Sequence, residues 1–167
     1  LNRAFMYGWM GMVWYNPAVS GGSIADLPPN HYFPDMGLVC ARTGWDADDV
    51  AMLFKCSPYG GYELNAYRKK AHNMGYLNVA HDDPDAGTLL IYADGGMVLD
   101  GDGYSLRKNT AAHNTILVNG KPQKGSGAGF TQPLKKDMSD MAFITTYKDA
   151  GDVVVCEGEM SNAYQGV

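Results

Sequence analysis

Three short segments bring together residue types that could do chemistry. They are His81-Asp82-Asp83-Pro84-Asp85-Ala86-Gly87, Asp100-Gly101-Asp102-Gly103-Tyr104 and Ala112-His113-Asn114-Thr115. Carboxylates with imidazoles make an oxygen and nitrogen donor set suited to Zn, Mn or Ca. An imidazole can also give or take a proton near neutral pH. Asp and Gly are equally the ordinary residues of turns, so a purely structural reading stands beside the chemical one. Asp-Gly-Asp-Gly resembles the start of a calcium loop, but the further ligands and closing Glu of such a loop are missing.

A fourth segment, Arg68-Lys69-Lys70-Ala71-His72, is the basic cluster that precedes these motifs. It could face an anion, or it could be a solvated loop. Lys121, Lys124, Lys135 and Lys136 are scattered along the chain and carry no argument at this level. Cys40, Cys56 and Cys156 are odd in number and widely spaced, which fits buried free thiols better than a zinc knuckle or a disulfide scaffold. No Gly-x-Ser-x-Gly elbow is present, which argues against a Ser-His-Asp hydrolase.

Short strands must position these segments. Residues 36–42 and 49–56 read as one hairpin around a Gly-Trp-Asp turn. Residues 88–93 and 97–100 make a second, around Asp94-Gly95-Gly96. Residues 141–147 and 152–157 make a third, around Asp149-Ala150-Gly151. Residues 114–118 read as a further strand, ending in Asn119-Gly120. Residues 57–85 read as one long loop rich in Gly, Tyr, Asn and His, of the length that is usually functional or disordered; its aromatics argue against disorder. About seven strands at such spacing predict an all-β, antiparallel β-sandwich. Ahead of them, residues 1–14 carry apolar residues at helical spacing, and residues 15–30 read as a linker broken by Asn-Pro, Ser-Gly-Gly and Pro-Pro.

Composition agrees. The 167 residues are 46% hydrophobic and 19% charged, with 21 glycines, enough for a core with many turns. A formal charge of −5 demotes nucleic-acid binding. The apolar run at the start is shorter than the roughly 18 residues of a membrane span and contains Asn2 and Arg3, so no span is expected. It also lacks the basic leader and cleavage site of a signal peptide. A chain that starts at Leu1 and stops after a strand-like run suggests a fragment or a processed product.

The three segments, in this order and with these strands between them, resemble the heparinase II/III-like polysaccharide lyases, the oligoalginate lyases among them. The family's β-domain carries His-x-His-x-Asp-x-Asn/Gly-Ser-Phe, then Asp-x-Gly-x-Tyr, then His-Asn-Thr. The matching residues are His81 to Leu89, Asp100 to Tyr104 and His113-Asn114-Thr115. Gly44-Trp45 and Leu53-Phe54-Lys55-Cys56-Ser57-Pro58 resemble the family's first hairpin, and residues 157–164 its Gly-Asp-Ala-Ser-x-Ala-Tyr strand. The resemblance covers residues 33–164. It departs at the second histidine, which is Asp83 here and shifts a bound metal towards harder ions.

The resemblance implies a fragment of a two-part enzyme, in which a helical toroid precedes the sandwich and the substrate lies between them. Residues 1–30 would be the end of the toroid and a linker, and residues 31–167 the sandwich. The implied activity is β-elimination on a uronate polysaccharide, alginate first. The alternatives are a heparin, heparan or chondroitin lyase, or a non-catalytic carbohydrate-binding sandwich. The implied catalytic residue is His81, the implied metal ligands are Asp83, Asp100 and His113, with Asp102 as fallback for Asp100, and the implied ion is Zn, Mn or Ca. Arg68 and His72 would bind substrate. Tyr104 would pack; Tyr59, Tyr62, Tyr67 and Tyr76 would pack or stack on sugar. The fragment alone would be inactive, since the base and its helpers belong to the toroid. The location implied is periplasmic or secreted.

Overall fold

A computed structural model describes Val13 and residues 16–73, 81–101, 108–129 and 133–164. The helical spacing expected over residues 1–14 lies outside the described residues except for Val13. Tyr76, Asp102 and Tyr104 also lie outside them.

Among the described residues, seven strands form two antiparallel sheets. Strands β1 (His31–Phe33), β2 (Leu38–Arg42), β3 (Ala51–Lys55), β4 (Thr88–Ala93) and β5 (Gly96–Leu99) run in sequence order as a meander. Strands β6 (Phe143–Asp149) and β7 (Val154–Glu159) form a separate hairpin. The three expected hairpins are β2–β3, β4–β5 and β6–β7. Strand β1, ahead of the first expected strand, pairs with β2 through His31↔Cys40 and Phe33↔Leu38.

The two sheets meet where β7 crosses the end of β3. A Cβ at Gly158 would lie 2.6 Å from the Cys56 sulfur and 3.0 Å from the Phe54 ring, so only glycine permits this approach. Around the contact, Cys56, Tyr59, Ala86, Leu134, Met138, Met141, Ala142, Ala163 and Tyr164 form the buried core, with Phe54 and Ile144 packed against it. Burial holds the Cys56 thiol up at about 11. The Tyr32 and Tyr147 rings also meet across the sheets, 5.2 Å apart. Non-directional burial of this kind is what holds one sheet on another.

Two expectations are corrected. Residues 57–85 are not a continuous loop, because Tyr62–Lys70 form a helix, α1. Its N-terminal Gly61 offers no side-chain cap; Asp35 serves instead, accepting from the Tyr62 and Glu63 amides at 2.9 and 2.8 Å. Glu63 in the first turn and Arg68, Lys69 and Lys70 in the last suit the helix dipole. The buried residues of α1 are Asn65 and Arg68, so no apolar period announces it. Residues 114–118 are not a strand either; only Val118 bridges to Lys121. The Asn114 and Thr115 side chains bond to other loops, which competes with ladder formation.

Candidate functional site

The three motif segments are fastened to one another at the end of the five-stranded sheet. Lys55 is the last residue of β3 and pairs in register with Thr88, the first of β4. The segment 81–87 therefore passes over the Lys55 side chain. The Lys55 ammonium lies 2.8 Å from Asp82 and 2.8 Å from Asp85. Burial alone would lower the Lys55 pKa, but the two carboxylates outweigh it and raise the pKa above the usual lysine range. Burial in turn raises the Asp85 carboxyl, against the pull of Lys55. Asp82 also accepts from the Gly60 and Asp83 amides. Asp82 and Asp85 are thus clamps that hold the segment down.

Asp83 points elsewhere. Its Oδ1 lies 3.3 Å from Lys108 Nζ and 3.8 Å from His113 Nε2. Lys108 is 1% exposed. His113 ends a short 3-10 turn, Thr110–Ala112, capped by the Asn109 side chain. Its Nε2 is buried and has no hydrogen-bond partner among the described residues, while its Nδ1 faces Gly101, where a Cβ would stand only 3.5 Å away. The rest of the His-Asn-Thr segment acts as a strap. Asn114 Nδ2 donates to the Asp100 carbonyl, and Thr115 Oγ1 donates to the Ala86 carbonyl. Leu89 of β4 donates its amide to the Asn114 carbonyl at 3.2 Å.

Gln123 locks this strap from below. Its amide oxygen accepts from Ala86 N at 3.0 Å, and its amide nitrogen donates to the Ala86 carbonyl at 2.8 Å and lies 3.2 Å from the Tyr164 hydroxyl. It is 2% exposed, so these bonds satisfy a group that burial would otherwise penalise. Neither Gln123 nor Lys108 stood out in the sequence: one sits in a Gly/Lys/Ser loop, the other beside a motif but not in it.

Of the expected metal ligands, Asp83 and His113 are brought together. Asp100 is exposed, and its carboxylate turns back on the Gly101 amide at 2.9 Å. Among the described residues no three His, Cys, Asp or Glu side chains gather closely enough to hold one metal ion. The Lys108 ammonium already supplies positive charge beside Asp83, where a divalent ion would meet it at close range. Among the described residues, Asp83, Lys108 and His113 therefore form an ion-paired cluster.

His81 is exposed at the start of the segment, next to the clamped Asp82. Arg68 and His72 line one cavity of about 380 Å³ with Lys69, Lys136 and Ser139. Arg68 is 2% exposed, donates to the Tyr59 carbonyl at 2.6 Å, and has its pKa lowered by burial. His72 is exposed just past the helix end, at a φ of +52°. Tyr59 donates to the Lys124 carbonyl at 2.9 Å and Tyr62 to the Cys56 carbonyl at 3.0 Å, so both are bonded into the interior. Burial raises both phenols, that of Tyr62 to about 12. Tyr67 is 52% exposed.

No family model and no curated protein matches the chain. Solved structures do. A heparinase III gene product superposes with a TM-score of 0.55 at 17% identity over 86% of this chain. The same gene product with methylated lysines superposes with a TM-score of 0.56, also at 17% identity and over 86% of this chain. The chain spans 19% of the length of each. Its fold is therefore an all-β, antiparallel fragment similar to part of heparinase III. Among the described residues, no helix is long and apolar enough to cross a membrane.

Proposed function

We propose that this chain is the β-domain wall of a lyase that cleaves uronate-containing acidic polysaccharides by β-elimination. One observation carries the reading: His81, Asp83, Asp100 and His113 belong to three separate segments that are tied together at one sheet end, in a fold similar to that of heparinase III. Side chains gathered from three segments at a sheet end are what a site needs, and turn formation alone does not demand it.

The reaction sets the roles. The uronate carboxylate must be neutralised so that the C5 proton becomes acidic. A base removes that proton, the electron pair forms the C4–C5 double bond, and the C4–O bond breaks as an acid protonates the leaving oxygen. His81 is the group of this chain assigned to proton transfer, because it opens the first motif segment and its side chain is exposed. The Asp83, Lys108 and His113 cluster positions the segment that carries it. A helical toroid supplies the remaining groups from the opposite wall. Alginate and the glycosaminoglycans are the substrates to assay, and a polymeric substrate places the enzyme in the periplasm or outside the cell. The test is ultraviolet absorbance of the unsaturated uronate, measured on the protein that joins this domain to its toroid. Product from a uronate polymer supports the reading. Binding without product would make the chain a carbohydrate-binding sandwich.

A further inference from the structure

Six of the thirteen Lys and Arg residues of this acidic chain line two neighbouring cavities. The first, of about 380 Å³, is the one that Arg68, Lys69, His72 and Lys136 line. The second is larger, about 530 Å³, and is lined by Lys121, Lys124 and Lys135, with Asp137 the one acidic residue among the described residues that line it. The wall between them is the 3-10 turn Lys136–Met138. The turn and its flanks contribute to both: Lys135, Asp137 and Met138 line the larger cavity, Lys136 and Ser139 the smaller. Lysines that are scattered in sequence are therefore neighbours in space.

The floor of the larger cavity is built in advance. Lys124 donates its amide to the Ala163 carbonyl at 2.7 Å and accepts from the Tyr59 hydroxyl at 2.9 Å. Gly127 N donates to the Lys108 carbonyl at 2.6 Å, and Ala128 N to the Gly125 carbonyl at 3.0 Å. Gly125 has a φ of +92°, and a Cβ there would strike the Tyr59 hydroxyl and Met138. Gln123, which locks the motif segments, also lines this cavity. A basic concavity on a fixed backbone focuses charge and binds without first having to order a loop.

We propose that the Lys121, Lys124 and Lys135 cavity is an anion subsite, adjacent to the one that Arg68 and His72 line, and that the two take successive acidic groups of one glycan chain across the Lys136–Met138 turn. The proposal rests on the acidic-polysaccharide reading above and adds where the chain of charges is gripped. Carboxylates or sulfates meet the requirement alike, because ammonium groups act as point charges and do not demand a particular oxyanion geometry.

The experiment is calorimetric titration of the chain with three hexasaccharides: a mannuronate oligomer bearing carboxylates alone, a heparin oligomer bearing sulfates as well, and neutral maltohexaose. Replacing Lys121, Lys124 and Lys135 together by Gln should weaken both acidic ligands by about 10-fold and flatten the dependence of affinity on salt. The matching triple Lys→Arg variant keeps the charge and should bind as the unmodified chain does. Binding of one acidic ligand alone, lost in the Gln variant, supports the proposal and tells which oxyanion is taken. If the Gln variant binds the acidic ligands unchanged, the subsite proposal falls while the polysaccharide reading stands. If the unmodified chain binds neither acidic hexasaccharide, the subsite proposal falls, while the polysaccharide reading is judged separately by elimination in the protein that joins this domain to its toroid. Equal affinity for maltohexaose would also overturn the subsite, since charge would then not be what it selects.

Discussion

The ammonium of Lys108 lies 3.3 Å from the carboxylate of Asp83, and the imidazole of His113 lies on the same carboxylate oxygen at 3.8 Å. One buried cation therefore pairs with Asp83 of the first motif and sits beside His113 of the third. Removing it should leave a carboxylate largely out of water without its nearest cation. Lys108→Met should destabilise the fold by about 2–4 kcal/mol, toward the lower end of values for broken buried pairs because Asp83 keeps some solvent contact. Combining it with Asp83→Leu should restore most of that loss. Urea unfolding of the two singles and the double checks both statements.

Gln123 should matter as much for stability, though it touches no substrate in this account. Gln123→Ala removes the partners of Ala86 N and leaves the Tyr164 hydroxyl with one bond fewer. The expected cost is about 2–3 kcal/mol in the same unfolding assay, because buried polar groups lose their partners. Gln123→Glu should cost at least as much, since it places a charge where the amide nitrogen donates to the Ala86 carbonyl.

Gly158 is where the sheets close on each other. Gly158→Val should cost about 1–3 kcal/mol, as overpacking of a filled core does. Gly151→Ala, at a turn where an added Cβ meets nothing, tests the backbone alone: its φ of +82° should cost about 1 kcal/mol. A smaller loss at Gly158 than at Gly151 would show that the sheets are further apart than described.

Stability should fall at both ends of the pH scale for separate reasons. Cys56 is raised from 9.0 to about 11 by burial, so the neutral thiol is favoured in the folded state. Its contribution is complete below about pH 9 and is lost as pH rises through about 11. Cys56→Ala should flatten that alkaline decline and should remove the slowest of the three thiols to react with a disulfide reagent. Asp140 is held low by hydrogen bonds from Lys69 and Asn65, 2.5 and 2.7 Å away. Its contribution is present above the ordinary carboxylate value and is lost as pH falls through the depressed one. Asp140→Asn should flatten the acid limb and leave the alkaline limb alone.

The three hairpins were legible because each has two apolar runs around a glycine turn, and turn chemistry is local. Helix α1 was not, because the residues it buries are Asn65 and Arg68, and its cap comes from Asp35, well upstream. Motif order anticipated that Asp83 and His113 would be neighbours. It did not anticipate Lys108 between the motifs or Gln123 beneath them, since their partners lie far along the chain and no spacing rule connects them. Asp100 was expected in the same group as Asp83 and His113, but a carboxylate can turn back on the following amide, and here it does. The basic cavity was hidden for the same reason: a tightly held loop gathers lysines that are scattered in the sequence.

The most direct test of the account is elimination by the protein that joins this domain to its toroid, followed as ultraviolet absorbance on alginate, heparin, heparan and chondroitin chains with dextran as the neutral control. The account predicts unsaturated product from at least one uronate polymer, none from dextran, and a fall of about 100-fold or more for His81→Ala, the loss expected when a proton-transfer group is removed. No product from any uronate polymer, or an unchanged rate in the His81 variant, would contradict it.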